Sequence, residues 1–235
     1  MSEGMLSPSR LLDVYKRQAR RLREAEEEIE RWKEHPRLTF TIAPHAPYTC
    51  GRDYLIQALQ TAKKRELPLH IHLSESAFEV ENMKKETGLS PIAYAESLGL
   101  LDVPILIAHC VHVDEEDIRL LARPNVSVVT NPASNMKLGN GFAPVPEMLA
   151  SGVRVCLGTD GAASNNSLNL FHEMGLVTCL LYTSHLKTWE AAAFADDWKL
   201  LMEQEERQIQ PLMDGLKEEK RDRTANPSAG FHWPD

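Results

Sequence analysis

The sequence predicts an α/β protein built on a parallel sheet, and three observations carry that prediction. Short apolar runs rich in β-branched residues recur along the chain, each is followed by a polar loop and an amphipathic stretch, and ionisable residues collect where the runs end. Strands that alternate with helices form crossover units, which join parallel strands. Two architectures meet this pattern, a barrel and an open doubly wound sheet. The 235 residues are marginal for an eight-fold barrel, which takes about 250.

The first element is a charged helix over residues 20–34, RRLREAEEEIERWKE, with Arg23/Glu27 and Glu27/Arg31 paired at i,i+4 and Pro36 ending it. Its charge density predicts a solvated surface helix. Strands are expected at 38–43, 69–73, 105–108, 126–130 and 153–157, and helices at 53–65, 78–98, 114–122, 144–151 and from 167 onward. Past residue 181 the texture changes to a Glu/Lys/Gln-rich stretch, 199–223, interrupted by Pro211 and closed by TANPSAGFHWPD, which reads as helix followed by disorder. The expected organisation is an N-terminal segment 1–18, an α/β part 19–181 and a helical or disordered tail 182–235.

Composition narrows the function. With 26 Lys and Arg against 34 Asp and Glu the net charge is −8, so the chain as a whole has no attraction for nucleic acid or an anionic membrane. Small molecules are the expected partners. Cys50, Cys110, Cys156 and Cys179 are scattered with no C-x-x-C pair, there is no apolar run of about 18 residues, and the first ten residues lack a signal-peptide apolar core. A soluble protein of the reducing cytoplasm is the expectation.

The histidines point to the chemistry. His45, His70, His72, His109 and His112 fall within 68 residues, where even scatter of the nine would give about 2.6. They sit at strand ends, in TIAPHAPYTC, LHIHLSES and IAHCVHV; the last two strands end in VVTNPASN and CLGTDGAASNNS. The carboxyl edge of a parallel sheet is where α/β active sites are built. Alternation puts His70 and His72 on one face, with Glu75 just beyond. Neutral imidazole is a good ligand for zinc or a similar ion, and a nearby carboxylate can handle the proton of a metal-activated water. Asp160, between glycines in GTDGAAS, is a metal or water ligand or else a turn aspartate that satisfies backbone N–H groups. His109 is better placed to face the site than His112, which reads as a loop or helix-start residue, and Cys110 reads as a small buried strand-end residue. The segment NPASNMKLGNGFAPVP is either a polar ligand loop or an ordinary long one. No phosphate-cradling glycine motif is present.

Taken in order, APHAPYTC, HIHLSES, AHCVHV, NPASNMKLGNG and GTDGAASNNSLNLFHEM resemble the amidohydrolase superfamily, and within it the 5-methylthioadenosine/S-adenosylhomocysteine deaminases and their chlorohydrolase-like relatives. The resemblance runs from about residue 20 to 177. It implies a metal-dependent (β/α)8 barrel in which a metal-activated water attacks C6 of an adenine ring and ammonia leaves. It further implies that His72 and Asp160 bind the metal and that Glu75 shuttles protons and touches substrate. By the same resemblance His45 contacts substrate, His109 polarises the attacking water, and Asp160 orients that water or takes its proton. His70 has no role in the family. The metal expected is a single divalent ion, zinc first, with iron, manganese and nickel also suited to a His/Asp site. The substrate expected is a nucleoside.

Two features depart from the family pattern. Its first strand carries a His-x-His pair that completes the metal site, and this chain has no such pair before His45; five βα units are legible where eight close a barrel. The expectation is a partial (β/α)8 barrel, strands four to eight, with unrelated helical or disordered ends and impaired activity. A chlorohydrolase, a guanine deaminase or a non-catalytic fragment are the alternatives.

Overall fold

The computed structural model describes residues 8–183; segment 1–7, the Glu/Lys-rich stretch and the tail lie outside the described residues. Four strands, β1 (Leu69–Leu73), β2 (Ile105–His109), β3 (Val126–Thr130) and β4 (Val155–Leu157), form one parallel sheet in that order. The register pairs His72 with Ala108, Ala108 with Val129, and Val129 with Cys156. Helices α1 (Pro8–Trp32), α2 (Arg52–Arg65), α3 (Ala77–Thr87), α4 (Pro91–Ser97), α5 (Glu115–Leu121), α6 (Pro132–Lys137), α7 (Val145–Ala150) and α8 (Leu170–Thr183) complete the described part, with one 3-10 turn at Leu100–Asp102.

The sheet has two unlike faces. Leu69, Ile71, Leu73, Ile105, Ile107, Val126 and Val128 alternate along the strands and are buried in one cluster with Leu55, Ile92, Leu100, Leu121 and Met148 of the helical layer. Each such Leu or Ile contributes about 1.5–3 kcal/mol by leaving water, so this face holds the fold together. The residues between them, His70, His72, Leu106, Ser127 and Val129, are half-buried, and Cys156 is exposed. They line the face that would be the interior of a closed barrel.

The expected strand at 38–43 is reduced to a single bridge, Ile42 opposite Leu69. The Ile42 N–H donates to Pro68 O (2.9 Å) and Ile42 O accepts from the His70 N–H (3.0 Å). In a parallel ladder the next donor on this segment is residue 44, a proline without an N–H, so the ladder stops there. The chain stays alongside β1, and His45 O accepts from the His72 N–H at 3.0 Å.

Other boundaries differ from expectation as well, with α1 starting at Pro8 and β4 at Val155. The helix expected at 78–98 is two helices: Gly88 caps α3 in the left-handed region (φ 76°), and Ser90 with Pro91 starts α4, its hydroxyl accepting from the Ala93 N–H. Ser90 Oγ also bonds the Asp117 carboxylate, which ties α4 to α5, itself started by the reciprocal Asp114/Asp117 capping box. Helix α6 lies where the sequence predicts a loop, with Pro132 opening its first turn. The charged α1 is solvated on one side only. Leu22 and Ile29, seven residues apart, are buried in the core cluster, and Arg65 of α2 bonds Glu30 at 3.0 Å.

Among the described residues no helix is long and apolar enough to cross a membrane.

Candidate active site

The site is assembled from the carboxyl ends of all four strands. On β1, the Nδ1 of His72 lies 2.7 Å from the carbonyl of His45. A carbonyl can only accept, so Nδ1 carries the proton and the Nε2 lone pair is presented to the site. On β2, His109 is 1% exposed and its Nδ1 meets Asn135 Oδ1 at 2.8 Å, which fixes the same tautomer. Regular alternation from Ala108 would turn His109 toward the helices. Its φ of 75° breaks the alternation and brings its ring 5.4 Å from that of His72.

Asp160, just beyond β4, is held on three sides. Its Oδ2 accepts from the Ser134 and Ser164 hydroxyls, each at 2.6 Å, and its Oδ1 from the Gly161 N–H at 2.8 Å. Burial alone would raise its pKa; those hydrogen bonds and the neighbouring His109 outweigh it and hold the carboxyl below its ordinary value.

Glu75 stands beside this group, its Oε2 3.8 Å from His109 Nε2 and its Oε1 accepting from Asn140 Nδ2 at 3.0 Å. Its backbone is anchored by Glu79, whose carboxylate accepts from the Ser74 N–H (3.2 Å) and the Glu75 N–H (2.8 Å). Burial pushes the Glu79 carboxyl above its ordinary value despite these donors.

His45 flanks the other side, 5.0 Å ring to ring from His72, with Nδ1 2.7 Å from Thr49 Oγ1. Burial and then the proximity of His72 lower its pKa, and burial followed by His72 and His109 lowers that of His70.

Four non-glycine residues at these strand ends, Ser74, His109, Cys110 and Asp160, have φ between 49° and 75°. Such backbones are held against their own preference by surrounding contacts and concentrate at functional sites.

The donor set fits a divalent ion. One ligand atom from each of His72, His109 and Asp160 lies within 4.8 Å of the others. The His72 imidazole, its outer nitrogen engaged, and the Asp160 carboxylate are suited to zinc or a neighbouring transition metal, with His109 beside them. His45, His72, Glu75, His109 and Asp160 are thus brought together. His70 stacks on His72 at 6.1 Å on the same face. His112 lies in the loop after β2 and bonds Asn140 O at 2.7 Å, and Cys110 is fully buried, its thiol pushed up by that burial.

Sequence reasoning missed the supporting residues. The polar segment after β3 supplies Ser134 to Asp160, Asn135 to His109 and Asn140 to Glu75. Its amides and hydroxyls were visible, yet their partners are protein side chains.

A family model, described as the amidohydrolase family, matches residues 3–195. The chain belongs to the amidohydrolase family. Its four parallel strands are part of the (β/α)8 barrel of that family. This amidohydrolase chain is 49% identical over 166 residues to a 5-methylthioadenosine/S-adenosylhomocysteine deaminase of Desulforudis audaxviator (strain MP104C), a match covering 70% of the chain and 39% of that relative. It is similar to the structure of an adenosine deaminase from Xanthomonas campestris with bound zinc, with a TM-score of 0.62, 36% identity, and coverage of 65% of the chain and 35% of that structure. A guanine deaminase from C. acetobutylicum with bound guanine gives a TM-score of 0.65 at 29% identity, covering 75% and 42%. The chain thus spans about two-fifths of the length of the relative from Desulforudis audaxviator.

Proposed function

We propose that these residues carry the metal-dependent hydrolytic deamination of an adenosine-type nucleoside, S-adenosylhomocysteine or 5-methylthioadenosine, to the inosyl product and ammonia. The observation that carries the reading is the convergence of His72, His109 and Asp160 with Glu75 3.8 Å from His109.

His72 Nε2 and Asp160 would hold the ion, zinc or a chemically similar divalent metal. When bound, such an ion supplies a water acidic enough to act as nucleophile near neutral pH. His109, with its Nδ1 proton committed to Asn135, turns Nε2 to that water and polarises it. Asp160, kept ionised by its three donors, orients the water. Glu75 would take one proton from the water as its oxygen bonds C6 and deliver it to the ring nitrogen. It would then take the second proton from the hydroxyl now on C6 and pass it to the amine, which leaves as ammonia when the C6–N bond breaks; one carboxylate serves both transfers because they occur in succession at neighbouring atoms. Asn140 engages Oε1 and so leaves Oε2, the oxygen nearer His109, for this work. His45, beside His72, contacts the substrate.

A guanine-deaminase reading uses the same groups and also expels ammonia, from a free base in place of a nucleoside, and the similarity to a guanine deaminase structure keeps it as the second reading. One experiment separates them: ammonia release by the purified chain with S-adenosylhomocysteine, 5-methylthioadenosine, adenosine and guanine, with metal quantified in the same sample. Release from the first two by metal-loaded protein supports the proposal. Release from guanine alone favours the second reading, and a metal-loaded chain that deaminates none of the four contradicts both.

A further inference from the structure

Among the described residues, the most deeply buried acid takes no part in the chemistry above. Glu173, in the first turn of α8, is fully shielded from solvent, and its two carboxylate oxygens bind two different segments. Oε2 accepts from the Ala133 N–H at 3.0 Å, and Oε1 accepts from Asn165 Nδ2 at 2.6 Å.

Each segment holds part of the site. Ala133 lies in the first turn of α6, and the next two residues, Ser134 and Asn135, bond Asp160 and His109. Asn165 organises the 159–168 loop that bears Asp160: its amide also donates to Thr159 O at 2.7 Å, and its carbonyl accepts from the Ser167 N–H (3.0 Å) and the Leu168 N–H (3.1 Å). The same loop is tied to α6 again by Lys137 Nζ on Asn166 Oδ1 at 2.6 Å. Glu173 therefore joins the element that orients His109 to the element that carries Asp160, two of the three groups whose ligand atoms converge.

We propose that Glu173 is a positioning residue for the metal site, fixing the spacing between His109 and Asp160 without touching the ion. The proposal rests on the metal-binding reading above. An acid is required because both partners are N–H donors and the group between them must accept on both oxygens. Glutamine accepts on one only and turns its own NH2 against the other donor.

The test is zinc affinity of the purified chain, measured by competition with a chromogenic chelator, together with the visible absorption of the Co(II)-loaded protein; unfolding curves check that each variant is folded. Groups that orient metal ligands cost about 10–100-fold in metal affinity when lost. Glu173→Gln is expected to weaken zinc binding by about that factor and to shift the Co(II) spectrum in a protein that still unfolds cooperatively. Asn165→Ala, which removes one arm, is expected to act in the same direction less strongly, and it decides the matter if Glu173→Gln does not fold. Zinc affinity within twofold of the parent and an unchanged Co(II) spectrum in the folded variant overturn the proposal. His72→Ala is measured alongside. If it binds zinc as the parent does, the metal reading itself falls; if it loses zinc while Glu173→Gln does not, only the role of Glu173 falls.

Discussion

At the scale of single residues, the site depends on who holds whom. Glu75 is the group whose loss is most specific: Glu75→Gln keeps the shape and the Asn140 contact but cannot accept and return a proton. Turnover is expected to fall about 10²–10⁴-fold with metal content unchanged, by ammonia assay and elemental analysis on one sample; retained turnover removes Glu75 from the proton path. The Asp160 donors make a pH prediction. Hydrogen bonds to its charged form hold its pKa down, so Ser134→Ala and Ser164→Ala raise it. A ligand carboxyl must be deprotonated to bind metal, so on acidification the variants lose zinc at a higher pH than the parent. An unshifted midpoint means the two hydroxyls do not govern the carboxylate. His72, Glu75, His109 and Asp160 were legible in the sequence because each lies at the end of an apolar run beside a turn. Ser134, Asn135 and Asn140 were not, because their partners are 26, 26 and 65 residues away and amides and hydroxyls are common in any loop.

At the scale of elements, the strand ends are shaped by close approach. At Gly158, just past β4, an added Cβ would overlap Oδ1 of Asn131 and lie 2.7 Å from Cγ1 of Val129, both on or next to β3. Gly158→Ala is expected to displace the Asn131 and Val129 side chains or push β4 from β3, and with it Asp160. Lower thermal stability together with weaker zinc binding is expected; parent-like values for both would show that the strands can yield without cost. Helix starts behave more locally. Ser90→Ala removes a cap worth about 1 kcal/mol and leaves Asp117 without its hydroxyl, and the loss should appear in a chemical unfolding curve with zinc affinity intact. The helix 53–65 and the strands at 69–73 and 126–130 were readable because periodicity and turn residues agree there. The 38–43 segment looked like a strand from its apolar content, but one proline at position 44 decides its pairing, and α6 was hidden because N-P-A-S-N reads equally as loop.

At the scale of the molecule, the sheet faces explain why the site sits where it does. The helical layer buries Leu, Ile and Val from one face, while the other face carries His70, His72 and Cys156 only partly covered, and the candidate site residues gather at its carboxyl edge. Fold class was legible because alternation of apolar runs and helices leaves few topologies open; the ligand convergence was not, since it arises from left-handed backbone at His109 and Asp160 that no periodicity encodes. The central claim, that His72, His109 and Asp160 together with Glu75 form a metal-dependent hydrolytic site, is tested most directly by the zinc content of the purified chain and of its His72→Ala and Asp160→Ala variants after dialysis against metal-free buffer. Zinc bound stoichiometrically by the parent and lost from both variants is the predicted result; equal zinc in all three, or none in the parent, contradicts it.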